Sequence, residues 1–337
     1  MTLDLLHYGF MQRALLASLL VGMTAPSVGV YIVQRRLALI GDGMGHVALA
    51  GVALGVLTTG QPVLTALVTA VVGAVVIELV RARGRTSGDV ALAVMFYGGI
   101  AAGVVIISRA PGGTPANLNS YLFGAITTTS RTDLVVFAVL AVLVLSATIG
   151  LAPRLFAVSN DEEYARAAGL PVLGINLLLA VITATTVVIS MRVVGLLLIS
   201  ALMVVPVATA QLLVNSFRST LVTAIGIGVA VSLGGTTTSY YANTPSGGTI
   251  VLLAIAIFTL AAVGTSVRSV LHRNRHDEAE DHLHRHGEHC GHLAVPHDDH
   301  VDYVHDGHRH APHGEHYDEH YDEPEATMSS RGTEGHP

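Results

Sequence analysis

The chain has 337 residues, 51% hydrophobic and only 12% charged, with a mean hydropathy of +0.58. A soluble domain carries roughly 25% charge, so the composition excludes an ordinary soluble enzyme and predicts an all-α polytopic membrane protein in contact with lipid, with no nucleic-acid partner. The net charge of −6 averages two unlike regions: residues 1–271 hold 13 Arg and 8 acids, whereas residues 272–337 hold 5 Arg, 16 acids and 16 of the 18 His, which divides the chain into a transmembrane domain (1–271) and a tail (272–337).

In chain order, the first apolar run begins after Arg13 and continues for about 20 residues. That is long enough to span a bilayer and lacks a clear small-residue cleavage site, so it reads as a span and not as a signal peptide. About nine transmembrane helices are predicted, near 14–33, 44–60, 62–80, 90–108, 134–152, 172–191, 193–214, 220–240 and 249–267. Arg35, Arg36, Arg81, Arg83, Arg85, Arg154, Arg166, Arg218, Arg268, Arg273 and Arg275 then fall on one side, and Arg13, Arg109, Arg131 and Arg192 on the other. By the positive-inside rule the N-terminus is outside and the tail is cytosolic.

Asp42 and His46 open the second span, four residues apart and so on one helix face. His46 is the only histidine between His7 and His272, and an ionisable pair at membrane depth is a functional-site hypothesis by default. Taken singly, Asp42 also fits a helix cap, and His46 a packed imidazole bonding a helix carbonyl. Gly51 and Gly55 form a small-xxx-small pair suited to close helix contact, and Pro26 and Pro206 predict kinks. The other acids in or near spans are Glu78, Asp89 and Asp133. Glu78 reads as an ion pair with Arg81 at i+3, and Asp89 as a cap for the fourth span. In the outer loop 109–130, the stretch Leu118–Ile126 is compatible with lying along the membrane surface.

The inner loop Ser159-Asn160-Asp161-Glu162-Glu163-Tyr164-Ala165-Arg166-Ala167-Ala168-Gly169-Leu170-Pro171 encodes a short helix. Ser159 and Glu162 have capping-box spacing, Arg166 falls late where a cation is favoured, and Gly169 is a natural C′ residue before Pro171. A plain surface connector fits the same pattern.

The tail predicts disorder, since it has too few aliphatic residues to bury a core. His284, His286, His289, Cys290, His292, His308, His310, His316 and His320 are its candidate metal ligands, through imidazole and one thiol. No spacing there defines a closed site, so several weak, exchanging sites are expected. Cys290 is the one cysteine, which rules out an intrachain disulfide.

Four stretches together carry a resemblance: Gly41–Gly55, Ser159–Pro171, the runs Val187–Gly195 and Ala201–Ala208, and Ser239–Gly248. The chain resembles the membrane permeases of the zinc/manganese ABC importers over roughly residues 10–270. The resemblance implies a permease that forms a homodimer and pairs with a separate cytosolic ABC ATPase, which uses the ATP. It implies an extracytoplasmic metal-binding protein that delivers the ion, Zn2+ or else Mn2+ or Fe2+, in a bacterial plasma (inner) membrane. Asp42 and His46 match the family's metal-contacting pair. The inner helix resembles the coupling helix, which puts Ser159, Glu162, Glu163, Ala165, Arg166, Gly169 and Leu170 at the ATPase. A phosphate-binding Gly-Lys-Ser/Thr loop requires lysine, and this chain has none, so the resemblance leads to a transport subunit without its own ATPase site. One departure is Asn243, where the family usually has an acid. Two rivals remain: a secondary zinc transporter, which predicts several intramembrane His/Asp clusters, and a non-transporting metal sensor or store working through the tail.

Overall fold

A bilayer offers no water to backbone amides, so apolar runs close their own hydrogen bonds as helices. The computed structural model describes residues 7–58, 60–83, 88–109, 118–125, 129–191, 193–196, 198–280, 291–297, 300–305, 308–313 and 316–320. Through them run α1 (Gly9–Gln34), α2 (Ile40–Leu57), α3 (Pro62–Ala82), α4 (Gly88–Ile107), α5 (Leu118–Phe123), α6 (Arg131–Gly150), α7 (Ala152–Asn160), α8 (Glu162–Ala167), α9 (Val172–Ser190), α10 (Ile199–Leu213), α11 (Phe217–Ala242) and α12 (Ser246–Glu280). Among the described residues, 8 helices are long and apolar enough to cross a membrane. With 15 residues, α10 covers only about 22 Å at ~1.5 Å per residue. Up to residue 280 the described fold is an all-α polytopic membrane protein, as the composition predicts. Two compact units divide the chain, Met1–Thr265 and Ser266–Pro337.

In the first unit α1, α2 and α9 are the most buried long helices, while α3, α4, α6 and α12 turn most of their surface outward. The spacing on α3 explains how. Ala66, Ala70, Ala74 and Glu78 form a buried stripe at four-residue intervals, and Leu64, Val68, Val72 and Val76 form an exposed one. Small residues thus face protein and branched apolar ones face outward, since lipid gives no hydrophobic reason to hide them. Gly51 and Gly55 make the expected close contact: a Cβ on Gly51 would fall 2.7 Å from the Ala66 Cα, and one on Gly55 2.8 Å from the Pro62 Cα. Pro26 lies inside α1, where it withdraws the hydrogen bond otherwise made to the Gly22 carbonyl. Gly228 of α11 packs on that carbonyl and on the Pro26 ring, leaving no room for a side chain there.

The seventh apolar segment, expected as one helix over 193–214, is broken. Among the described residues of 191–198 the backbone is non-helical and buried, with Met191, Val193, Val194 and Leu196 at 0–3% exposure. Irregular backbone at membrane depth is tolerated only inside protein, and here its polar groups find partners. The amides of Val193 and Val194 bond the Ser190 carbonyl, that of Leu196 bonds the Tyr121 carbonyl, and the Ser246 hydroxyl donates to the Val193 carbonyl at 2.7 Å. Gly195 has φ +89 and lies against Leu122, and Gly247 of α12 lies against Val194 and Phe123. The α5 helix packs on this segment through Tyr121, which is 6% exposed and whose carbonyl holds the Leu196 amide.

The second unit contains an antiparallel sheet in the order β1-β2-β3-β4, with β1 (Leu293–His297), β2 (His300–His305), β3 (His308–His313) and β4 (His316–His320). Antiparallel pairing satisfies the backbone with few apolar side chains, among which Tyr303 is buried.

Candidate functional site

The first two turns of α2 place Asp42 and His46. Leu39 is the N-cap and no side chain caps this helix end, so Asp42 is not used as a cap. Its carboxylate instead sits in the first turn, where the positive end of the helix favours an anion. His46 follows one turn on, on the same face of the helix. Both side chains are half-buried, while Gly43, Met44, Gly45 and Ala48 around them are buried.

Glycines make this end of α2 thin. A Cβ on Gly41 would stand 2.7 Å from the Ser200 hydroxyl, and one on Gly45 2.7 Å from the Leu196 carbonyl. On the other side Gly99 of α4 approaches His46 so closely that a Cβ would fall 2.7 Å from the His46 carbonyl carbon. The Phe96 ring of α4 meets the His46 ring edge-on, centroids 4.4 Å apart. Asp42 and His46 therefore lie on the α2 face between the 196–200 segment and α4. The Ser200 hydroxyl is buried without a partner. Gly99, Phe96 and Ser200 were not singled out from sequence; the Gly99/Gly103 spacing on α4, which packs on His46 and Leu49, was the available signal. Among the described residues no group of three or more His, Cys, Asp or Glu is placed to hold a metal ion. One chain offers a carboxylate and an imidazole here, two donors of the kinds that bind divalent transition metals.

The second candidate element is α8. The expected Ser159–Glu162 capping box is not formed. Ser159 lies inside α7 and is 6% exposed, and the N-cap is Asp161, whose carboxylate accepts from the Tyr164 amide at 2.8 Å. Asp serves as well as Ser at this position, and the extended backbone that a cap needs occurs at Asp161, with φ −149 and ψ 104. The other end is as the spacing predicts. Gly169 has φ +77, its amide bonds the Arg166 carbonyl, and the Leu170 amide bonds the Ala165 carbonyl. Ala165 is buried, whereas Glu163, Tyr164 and Arg166 are exposed and form the outward face.

Glu162 faces the other way, and of its partners only Arg166, at i+4, is near it in sequence. Its carboxylate lies 3.5 Å from Arg35, 3.7 Å from Arg81 and 3.4 Å from Arg166, and accepts from the Asn176 amide at 3.3 Å. Glu78, 3% exposed, pairs with Arg81 at 3.1 Å, as the i,i+3 spacing predicts. Arg35 caps the C-terminal end of α1, at the α8 end of the bundle, which the positive-inside rule assigns to the inner side. Burial and Arg81 lower its pKa, while Glu78 and Glu162 oppose the shift. Beside this cluster is an open cavity of about 670 Å³ lined by Glu78, Arg81, Glu162, Arg166 and Asn176 together with 170–174.

Of the remaining candidates, Asp133 forms a capping box with Ser130 at the start of α6, and the Asp89 side chain lies outside the described residues. Asn243 is exposed and ends α11 in the left-handed region, at φ 50 and ψ 42, a conformation that Asn tolerates better than most residues. In the tail His284, His286, His289 and Cys290 lie outside the described residues. His292 precedes β1, His308 and His310 fall on β3, and His316 and His320 on β4. The sheet register adds a pattern that the sequence reading missed. His297↔His300, His305↔His308 and His313↔His316 are cross-strand partners at the adjoining ends of successive strands, and His-x-x-His at eight-residue intervals was its signal.

Comparison with known proteins gives a consistent result. The model of the ABC 3 transport family matches residues 7–265. A manganese transport system membrane protein, MntC, of Halalkalibacterium halodurans is 34% identical over 270 residues, covering 80% of this chain and 92% of the relative. The high-affinity zinc uptake system membrane protein ZnuB of Haemophilus influenzae is 28% identical, covering 74% of this chain and 95% of its own length. Among solved structures, PsaBC from Streptococcus pneumoniae in complex with Fab aligns with a TM-score of 0.69 at 30% identity, over 76% of this chain and 92% of that one.

Proposed function

The chain belongs to the ABC 3 transport family, and from that premise we propose that it is the permease subunit of an ATP-driven importer for a divalent transition metal. Zinc is the first candidate, followed by manganese and iron. The observation that carries the reading is the Asp42–His46 pair, an acid and an imidazole on one face of a membrane helix whose start no side chain caps. Relatives named for manganese and for zinc transport support the metal class.

Two donors do not complete a coordination shell, since zinc takes four ligands and manganese more. A homodimer that brings two α2 helices together would supply two carboxylates and two imidazoles, which supports a dimeric permease. ATP is hydrolysed by a separate cytosolic subunit, which docks on the outward face of α8 through Glu163, Tyr164 and Arg166. A metal-binding protein delivers the ion from outside. By the arginine distribution, the His-rich tail meets the ion on the cytosolic side.

The test is ATP-dependent accumulation of radioactive zinc or manganese in vesicles holding this chain with its ATPase and binding protein. ATP-driven accumulation that Zn2+ inhibits at lower concentration than Mn2+ is the expected result. Accumulation that ignores ATP and follows a proton gradient would overturn the reading in favour of a secondary transporter.

A further inference from the structure

The first residue of α8 reaches into the bundle. One Glu162 oxygen lies 3.5 Å from Arg35 and 3.7 Å from Arg81, and the other 3.4 Å from Arg166 and 3.3 Å from the Asn176 amide. Arg35 ends α1 and Arg81 lies in the last turn of α3. Both helices adjoin α2: the first through the short connector 35–39, the second through the Gly51 and Gly55 contacts.

The connector has little slack. Arg36 is in the left-handed region at φ 58, the Leu37 amide bonds the Ile32 carbonyl at 3.0 Å, and the Ile40 amide bonds the Leu37 carbonyl at 2.9 Å. The Gly43 amide then bonds the Leu39 carbonyl at 3.2 Å, which closes the turn containing Asp42. A displacement of Arg35 is thus passed to the first turn of α2.

The arrangement around Glu162 also has room for a second state. Its contacts lie between 3.3 and 3.7 Å, and three guanidiniums share one carboxylate. Its side chain keeps 39% exposure, against 7% for Arg35. Such loose, partly solvated pairs exchange partners at small cost. The open cavity beside Glu162 gives it space to move. Asn176 Oδ1 is buried without a donor, an acceptor that a shifted guanidinium of Arg35 or Arg81 would satisfy.

We propose that Glu162 is the positioning residue that carries movement of α8 to the Asp42–His46 pair, by exchanging its contacts with Arg35 and Arg81. This rests on the transport reading above. When the ATPase shifts α8, Glu162 moves relative to the ends of α1 and α3. The guanidiniums follow it or turn to Asn176, and the start of α2 moves with Arg35. Two discrete pairings of one ion cluster make a switch of the kind that amplifies small displacements.

The experiment uses the complete complex in proteoliposomes and counts metal ions moved and ATP hydrolysed in the same vesicles. Glu162→Gln keeps the shape and removes the charge. It is expected to lower ions moved per ATP by at least about fivefold while hydrolysis stays within about twofold of wild type. Arg35→Gln, made on the other side of the contact, should give the same drop, and the double variant should be no worse than either single one. Should Glu162→Gln fail to assemble, Arg35→Gln is read by the same ratio. Arg154→Ala, at an exposed position on α7, is the control. An unchanged ratio, or uptake and hydrolysis falling together as for a lost docking contact, would overturn the proposal. A wild-type complex that hydrolyses ATP but moves no metal would instead remove the transport reading, and the coupling role with it.

Discussion

The inner end of the bundle and the first turns of α2 both hold ionisable groups within the protein, but the two regions differ in how those groups are paired. At the inner end, Glu78 has Arg81 at 3.1 Å and Glu162 has three arginines within 3.7 Å. Those charges answer one another, three arginines sharing two carboxylates. On α2 the described residues give Asp42 no arginine and no capping role; its positive surroundings are the start of the helix. A carboxylate that the fold does not neutralise is available to a cation. Burial alone would have ranked Glu78, at 3% exposure, above half-buried Asp42 as a functional acid. Pairing reverses that order.

Asp42→Ala and His46→Ala give the sharpest test of this contrast. Each is expected to lower ATP-driven metal uptake by at least about tenfold, the loss of one ligand interaction, with normal abundance in the membrane. Uptake assays normalised to immunoblots read both quantities, and normal uptake would move the metal path elsewhere. At the inner end the effects should exchange places. Glu78→Ala removes the nearest partner of Arg81 but leaves Glu162 at 3.7 Å, so a loss of about 1–2 kcal/mol is expected, below the usual cost of orphaning a buried charge. It should appear as a lower melting temperature in detergent, with uptake per folded molecule retained. A loss of uptake at normal stability would break the comparison.

Much of this was legible because it is local. Runs of about twenty apolar residues set the spans, the i,i+3 spacing set Glu78–Arg81, and Gly169 before Pro171 set the end of α8. The misreadings share another cause. Ser159 and Asp161 are both good caps, and the choice was made by α7 continuing through Ser159. The break at 191–198 depends on α5 and on Ser246 at the start of α12, far away in sequence, to satisfy its backbone. Glu162 finds Arg35, 127 residues away, through the packing of α1 against α7; the sequence supplied only the shared sidedness of those charges. For α2 the spacing of Asp42 and His46 was visible, but the close approach of Gly99 and of Leu196 that confines them was not.

The smallest effect on uptake is expected from the tail. Truncation after Leu271 leaves the apolar span Ser246–Arg268 of α12 intact, as well as Asp42, His46 and Glu162, so uptake should stay within about threefold of the full chain. That range is set by the modest free energies typical of coupling between separate sites. Metal held by the purified protein should change far more. The pairs His297–His300, His305–His308 and His313–His316 each place two imidazole-bearing residues opposite one another at adjoining strand ends. With 16 histidines and no spacing that defines a closed four-ligand zinc site, the tail is expected to hold several weakly bound, exchanging ions. Equilibrium dialysis with zinc should find several ions on the full chain that the truncated chain lacks, and replacing the six paired histidines with Ala should remove most of them. If the truncated chain binds as many ions as the full one, the tail is not a metal store. If truncation instead abolishes uptake while the span remains folded, the tail belongs to the path itself, and the weight placed on Asp42 and His46 would have to be shared with it.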